Sequence, residues 1–194
     1  MIAATKKDRS LVVSILAASF HDNQSVNFIV KQDTKRLKRI ERLMEYSFEC
    51  CLQFGNVFLS DDRKGCALVL LPETRHPSLK SWRLDAWLAI SCIGLANLRR
   101  TMAREAAIKR LHPAGSRYYY LWFLAVEPSF QNQGRGTILL NQLMDRARSL
   151  SRPVYLETST LKNIPWYGKF GFSVYHRLDL NYPLYFMRTD CRDS

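Results

Sequence analysis

The chain has 194 residues, of which 47% are hydrophobic and 12% aromatic, so it is long and apolar enough to bury one sizeable core. This composition excludes an intrinsically disordered chain. The net charge of +12 attracts polyanions, but the sequence contains no zinc-ligand spacing, no aromatic RNA-binding signature and no basic helix in a recognisable DNA-binding motif. We therefore expect a solvated basic surface, with no metal and no nucleic-acid partner.

The cysteines and the N-terminal segment predict a cytoplasmic protein in a reducing compartment. Five cysteines stand at irregular spacing, an odd number that favours free thiols over a disulfide framework. Basic residues ahead of the apolar run 11–20 faintly resemble a signal peptide, but Asp8 interrupts them and the run fits one face of an ordinary helix. No stretch is long enough to span a bilayer, so we predict no membrane segment.

Helices and one hairpin are predicted for the first half of the chain, residues 1–115. Apolar residues at helical spacing, and two short apolar runs around a turn, define these elements. They are helices over 8–20 and 34–52, a hairpin over 57–60 and 66–71, and a helical region over 79–111. A loop over 21–25 separates the first two helices, Gly94 is predicted to break the helical region, and His112 and Pro113 mark its end.

Strands and helices alternate in the second half, residues 116–194. The predicted elements are a strand over 118–126, a helix over 137–150, a strand over 154–159, a short helix from 163, a strand from 172 and a last strand over 185–188. The helix over 137–150 carries its apolar residues close to the 3.6-residue period. With no internal repeat, the chain is predicted to form one α/β domain, a mixed sheet with helices on both faces.

A turn with two glycines joins the strand over 118–126 to the helix over 137–150. The first N–H groups of a helix have no internal partner, and the helix dipole adds partial positive charge there. Because Gly134 and Gly136 have no Cβ, a phosphate could approach the backbone closely. The third glycine of a dinucleotide-binding loop and the Gly-Lys-Ser/Thr of a P-loop are both missing. A plain tight connection between strand and helix is the alternative.

The residues around this turn resemble a known family. Val126 and Pro128, followed by Gln131-x-x-Gly134-x-Gly136, are similar to the acyl-CoA pyrophosphate loop of the GNAT N-acetyltransferases.

A second motif strengthens the resemblance. Residues 156–159 (Leu-Glu-Thr-Ser), then Asn163, then Tyr167-x-x-x-Gly171-Phe172 are similar to the second GNAT signature, and most similar to the puromycin N-acetyltransferase branch. Two motifs in the family's order are more specific than either alone. The resemblance is dense over 122–172 and weak in the first half.

The resemblance implies a fold and a reaction. The sheet would be mostly antiparallel, and its fourth and fifth strands would diverge to leave a V-shaped cleft for CoA. Members usually begin with a strand, for which only residues 1–7 are available here, so we expect that strand to be short or missing. The activity implied is direct transfer of an acetyl group from acetyl-CoA to the amine of a small molecule. A protein or peptide amine as acceptor, or a non-catalytic CoA-binding module, are the alternatives, and both a monomer and a homodimer stay open.

The resemblance also assigns the cofactor contacts. Leu124, Ala125 and Val126 would pair with the pantetheine amides, and one backbone N–H there would stabilise the oxyanion. The alternative is that these three residues only pack in the core of the strand. The loop would hold the pyrophosphate, and its residues are Gln131, Asn132, Gln133, Gly134, Arg135, Gly136 and Thr137. Arg135 would either add positive charge to this pyrophosphate site or lie in solvent at the start of the helix.

Tyr167 is the predicted general acid, because the family has a tyrosine near the CoA sulfur and a phenol can give a proton to a thiolate. A packed aromatic is the alternative. Asn163 would contact the cofactor or cap the short helix. Glu157 would serve as general base or as a hydrogen-bonding partner within the sheet.

Three other ionisable residues are predicted to have no part in catalysis. Glu127 is predicted to be a surface carboxylate, and His112 and His176 to be solitary. Aromatic side chains of the first helices and the helical region could line a pocket for an apolar or aromatic amine, although such residues are core by default.

Overall fold

The computed structural model describes residues 1–76, 78–113 and 115–189. Within them lies a seven-stranded sheet with the order β1-β2-β3-β4-β5-β7-β6. The strands are Ile2–Ala3 (β1), Gly55–Leu59 (β2), Gly65–Leu70 (β3), Tyr119–Val126 (β4), Val154–Thr158 (β5), Phe172–Asp179 (β6) and Pro183–Thr189 (β7). Every neighbouring pair is antiparallel except β4 and β5, which are parallel. The predicted mixed, mostly antiparallel sheet is confirmed, and the first strand is present but only two residues long.

Seven α-helices are found among the described residues. They are Arg9–Phe20 (α1), Gln24–Ile29 (α2), Arg36–Phe54 (α3), Leu79–Leu88 (α4), Leu95–Leu111 (α5), Arg135–Ser149 (α6) and Ile164–Gly168 (α7). The prediction of a loop through Ser25 was wrong, since α2 already begins at Gln24. Asn23 caps that helix by accepting a hydrogen bond from the Val26 N–H at 3.1 Å. No helix in the described part of the chain is long and apolar enough to cross a membrane.

Helices cover both faces of the sheet. On one face, α1 and α3 bury Leu16, Ile40 and Phe48 in a core with β2 and β3. On the other face, α6 buries Leu139 and Leu143 in a second core. These side chains recur every three to four residues along their helices, which gives each helix one apolar face.

A β-bulge at Trp122 changes the direction of the side chains along β4. Leu121 pairs with Val69 and Phe123 pairs with Leu68, so Trp122 is an extra residue without a partner on β3. Before the bulge, Leu121 packs in the core beneath α6, whereas Phe123, two residues later, packs in the core beneath α1 and α3. The bulge therefore turns Leu124 and Val126 toward the α6 side of the sheet.

The parallel strands β4 and β5 separate soon after they meet. Their paired residues are Tyr119 with Val154 and Tyr120 with Tyr155, near the start of both strands. β4 continues to Val126 and β5 to Thr158 without further pairing between them. The strands thus form a V whose open end faces the connection between β4 and α6, as the resemblance implied.

The predicted break in the helical region lies at Gly94. A short π-helical stretch, Ala89–Ile93, ends there, and Gly94 has a φ of 72°, which a residue with a Cβ rarely adopts. Arg39 donates a hydrogen bond to the Ser91 carbonyl at 2.8 Å, which ties the break to α3.

Candidate active site

A cavity of about 1810 Å³ extends through the V between β4 and β5. Most of the residues predicted for the site line it, and they come from the two segments predicted to hold the cofactor and from the second motif. They are Leu124, Ala125, Val126, Gln131, Asn132, Gly134, Gly136, Thr137, Glu157, Asn163 and Tyr167. Gln133 and Arg135 belong to the loop but do not line the cavity.

The loop brings the start of α6 to the open end of the V. Gly134 is the N-cap residue, with a left-handed φ of 80°, and Asn132 is also left-handed with a φ of 58°. The Ile138 N–H donates to the Gly134 carbonyl at 3.0 Å, which is the first hydrogen bond of the helix. The N–H groups of Arg135, Gly136 and Thr137 come before it and have no partner within the helix. The helix begins two residues earlier than predicted, and these three residues form its first turn.

Two side chains of the loop are held by the protein itself. The Gln131 Nε2 donates to the Val126 carbonyl at 3.0 Å, which folds the loop back onto the end of β4. The Arg135 Nε donates to Asp62 at 2.6 Å, and the guanidinium lies 5.0 Å from the centre of the Phe130 ring. Hydrogen bonds from Ser60 and Arg135 lower the pKa of Asp62 to about 2. Arg135 therefore ties the helix start to the turn between β2 and β3.

The backbone of β4 offers polar groups to the cavity at Leu124 and Val126. The Glu127 N–H donates to the Lys64 carbonyl at 2.8 Å, which fixes the edge that faces β3. Because successive residues of a strand alternate between edges, Ala125 also bonds toward β3, while Leu124 and Val126 face the gap. The Val126 carbonyl already accepts from Ser19 Oγ at 2.9 Å. The Leu124 amide and carbonyl are thus the groups best placed for a ligand.

Tyr167 and Asn163 lie on the opposite wall. The Tyr167 ring is buried, packs on Trp166 and Phe172, and has no hydrogen-bond partner for its hydroxyl among the described residues. Burial raises the pKa of this phenol well above its usual range, so it stays protonated at neutral pH. Asn163 precedes α7, but its side chain makes no capping hydrogen bond. Of the two roles considered for Asn163, capping is therefore not seen, and contact with the cofactor stays a prediction.

Glu157 belongs to a buried network that the sequence did not reveal. Its Oε1 lies 2.5 Å from His112 Nε2, and its Oε2 accepts from the Tyr120 hydroxyl at 2.5 Å. The side chains of His112 and Glu157 are 8% and 7% exposed, and both residues line the cavity. The prediction that His112 is solitary was therefore wrong. The two residues are 45 positions apart, and no periodic pattern links them.

The remaining candidates lie outside this network. Glu127 is partly exposed and pairs with Lys64 at 3.2 Å, as expected of a surface carboxylate. His176 is exposed on β6, with its ring 5.9 Å from the centre of the Phe186 ring.

Beyond Glu157, the cavity continues between α3, α4 and α5. Trp122 is one of its lining residues and packs edge-on against Tyr46, with ring centres 6.2 Å apart. The Tyr46 hydroxyl donates to Asp85 on α4 at 2.6 Å. Trp82 and Met102, which are 70% and 63% exposed, stand at the surface of the same cavity.

Residues 86–172 match the acetyltransferase (GNAT) family model. The matched segment contains β4, the glycine loop, α6, β5 and α7, which are the elements around the V-shaped part of the cavity.

Solved structures with the same architecture include a protein described as histone acetyltransferase HPA2 and related acetyltransferase from Corynebacterium glutamicum. It is 21% identical, with a TM-score of 0.72 over 97% of this chain and 93% of that chain. Arylalkylamine N-acetyltransferase 2 from Aedes aegypti is 14% identical, with a TM-score of 0.63 over 98% of both chains.

The ribosomal-protein-S18-alanine N-acetyltransferase from Escherichia coli is a further similar structure. It is 14% identical, with a TM-score of 0.54 over 100% of this chain and 94% of that chain. The fold of this chain is therefore that of the GNAT acetyltransferases, and residues 86–172 are similar to that family.

Proposed function

We propose that this chain is an acetyl-CoA-dependent N-acetyltransferase that acts on a small amine. The observation that carries the proposal is the single cavity in which the glycine loop, the free edge of β4, Tyr167 and Glu157 meet.

Acetyl-CoA would bind along the V. The amides at the start of α6 would receive the pyrophosphate, because they carry unpaired N–H groups and the positive end of the helix dipole. The pantetheine arm would pair with the Leu124 backbone in the gap where β5 no longer supplies a partner. The thioester would then lie between Leu124 and Tyr167, and an N–H of the β4 edge would stabilise the oxyanion.

The reaction needs one proton acceptor and one proton donor. The amine lone pair attacks the thioester carbonyl carbon, so that a C–N bond forms and negative charge develops on the oxygen. Glu157 takes the proton that leaves the nitrogen. The C–S bond then breaks, its electron pair goes to sulfur, and Tyr167 gives its hydroxyl proton to the thiolate. Exchange with solvent returns Tyr167 and Glu157 to their starting states.

The far end of the cavity supports an acceptor with an apolar or aromatic body. Trp122, Tyr46 and Phe20 line it, and such rings bind apolar groups through large contact areas. The similar folds include enzymes named for arylalkylamines and for the alanine of a ribosomal protein, so the fold alone does not choose between acceptors.

Two finer assignments belong to the same proposal. The motif over 156–172 supports a place near the puromycin N-acetyltransferase branch, without making puromycin the acceptor. The four described cysteines, which are all buried and free, suit a reducing cytoplasmic compartment.

Titration calorimetry with acetyl-CoA is the first test. We expect saturable binding, with much weaker binding of S-acetylpantetheine, which lacks the pyrophosphate that the loop would hold. No binding of acetyl-CoA at millimolar concentration would sink the proposal.

Release of free CoA in the presence of amines is the second test. We expect turnover with small aromatic or apolar primary amines. Turnover with peptides alone would move the acceptor to proteins, and binding without any turnover would indicate a CoA-binding module.

A further inference from the structure

The strands β4 and β5 are joined at the point of the V by a buried polar network. Tyr120 lies on β4 in the last pair that the two strands make, and Glu157 lies two residues beyond Tyr155, its counterpart in that pair. His112 approaches from the end of α5. Three separate elements therefore converge on one carboxylate.

We propose that His112 is a positioning residue for acetyl transfer: its Nε2–H holds the Glu157 carboxylate in the orientation that receives the proton of the acceptor amine. This inference rests on the proposed function, in which Glu157 is the proton acceptor. Tyr120 holds the second oxygen, so the carboxylate has one fixed direction relative to the cavity.

The proposed role of Glu157 as proton acceptor decides which nitrogen of His112 carries the hydrogen. An ionised carboxylate accepts hydrogen bonds and has no hydrogen to give. Nε2, at 2.5 Å from Oε1, must therefore be the donor. Each carboxylate oxygen keeps lone pairs beyond the one that accepts its bond, so Glu157 can still take a proton from a ligand in the cavity.

The surroundings of His112 Nδ1 indicate that His112 does more than fill space in the core. His112 Nδ1 is buried and has no hydrogen-bond partner among the described residues. A buried polar atom without a partner destabilises a fold, and an apolar ring would fill this place without that penalty. What an apolar ring could not supply is the Nε2–H that faces Glu157.

Aromatic rings hold the imidazole in this orientation. The ring of His112 stacks on Tyr118, with centres 5.6 Å apart and planes within 6°, and Tyr155 and Phe186 flank it at 5.9 and 6.2 Å. Burial, together with the charge of Glu157, raises the pKa of Tyr118 to about 12, so this neighbour stays neutral. The imidazole is therefore fixed on its faces by packing and at Nε2 by the carboxylate.

Three variants test the assignment through kinetics. His112→Leu removes the donor, and we expect kcat to fall about 10²-fold with unchanged acetyl-CoA affinity, the effect of a small misplacement of a reacting group. His112→Gln keeps a side-chain N–H, and we expect it to restore kcat to within roughly tenfold of the unaltered protein. His176→Leu, which changes an exposed histidine outside the cavity, is the control and should keep full activity.

A nitrogen NMR measurement on the unaltered protein tests the geometry without activity. We expect His112 to carry its hydrogen on Nε2 at neutral pH and to lose this preference in Glu157→Gln. A hydrogen on Nδ1 alone would overturn the proposal even if His112→Leu failed to fold. Full activity of His112→Leu, or a His112→Gln variant as slow as His112→Leu, would also overturn it. These results leave the proposed function standing, whereas an unaltered protein that does not bind acetyl-CoA removes the function and this inference together.

Discussion

At the scale of single residues, Tyr167 is the side chain on which the proposed chemistry depends most. Tyr167→Phe keeps the buried ring and removes only the hydroxyl. We expect kcat and kcat/KM to fall together by about 10²–10⁴-fold, because the hydroxyl acts only as the thiolate leaves. Acetyl-CoA affinity, measured by calorimetry, should stay the same. Tyr185→Phe on β7, outside the cavity, is the matched control, and near-native kcat in Tyr167→Phe would leave thiolate protonation to solvent.

The surroundings of Glu157 depend on residues that are distant in sequence. The motif over 156–159 marks it as a candidate base, and both of its oxygens are occupied only because Tyr120 and His112 arrive from other elements. A sequence pattern records spacing within one element, so contacts between distant elements leave no periodic signal.

At the scale of elements, the two glycines of the loop have different reasons to be glycine. Gly134 is left-handed with open space around it, so Gly134→Ala should destabilise the fold by about 1–2 kcal/mol through backbone strain. A Cβ on Gly136 would meet Trp166 and Val126 at 3.7 Å, an ordinary contact. Gly136→Ala should therefore keep or raise stability by roughly 0.4–1 kcal/mol.

The same pair separates folding from cofactor binding. Gly136→Ala should weaken acetyl-CoA binding despite its stable fold, because the added Cβ stands beside the amides that would receive the pyrophosphate. Urea unfolding and calorimetry measure the two effects separately. Unchanged acetyl-CoA affinity in Gly136→Ala would contradict the close approach of a phosphate to this turn.

The turn between β2 and β3 holds the start of α6 through Asp62. The pKa of Asp62 is lowered from 3.8 to about 2 in the folded protein, so its contribution to stability is present above about pH 4 and is lost as the pH falls toward 2. Asp62→Asn should reduce stability at neutral pH and flatten the loss of stability over this acid range. Urea unfolding between pH 2 and pH 5 measures the free energy of unfolding of both proteins. Parallel plots of that free energy against pH would contradict the stabilising role of Asp62.

Ser60→Ala is the companion change for this turn. The Ser60 hydroxyl donates to Asp62 at 2.6 Å and is the largest cause of the lowered pKa, so its removal should give part of the Asp62→Asn effect.

At the scale of the whole molecule, the four described cysteines report on the core that α1 and α3 form against the sheet. Cys50, Cys51, Cys66 and Cys92 are buried, and burial raises the pKa of each thiol, that of Cys50 to about 11. Since the thiolate is the reactive form, we expect a disulfide reagent to label none of these four in the native protein and all four in guanidinium. Cys191 lies outside the described residues, so the experiment uses the Cys191→Ser variant, in which only the four described thiols can be labelled. Rapid native labelling at Cys66 would indicate that the sheet opens beside Ala125.

The sequence by itself determined the order of the elements and the loop at the start of α6. Apolar periodicity located most of the helices and strands to within a few residues, because a helix or strand with one buried face repeats its apolar positions locally. Its clearest failure was α2, whose Asn23 cap and short helix lie in a polar segment that suggested a loop. The glycine turn was found from sequence because two glycines stand between a predicted strand and a predicted helix, and the left-handed backbone at Gly134 favours that residue type.

Only the tertiary structure decided how these elements meet. The bulge at Trp122 reverses the faces of β4 without a distinctive residue type, since it depends on the pairing with β3. The end of pairing after Tyr120 opens the V, and His112 reaches Glu157 across 45 positions. Such contacts follow from packing over the whole chain, whereas a local pattern carries only the preferences of residues that are neighbours in sequence.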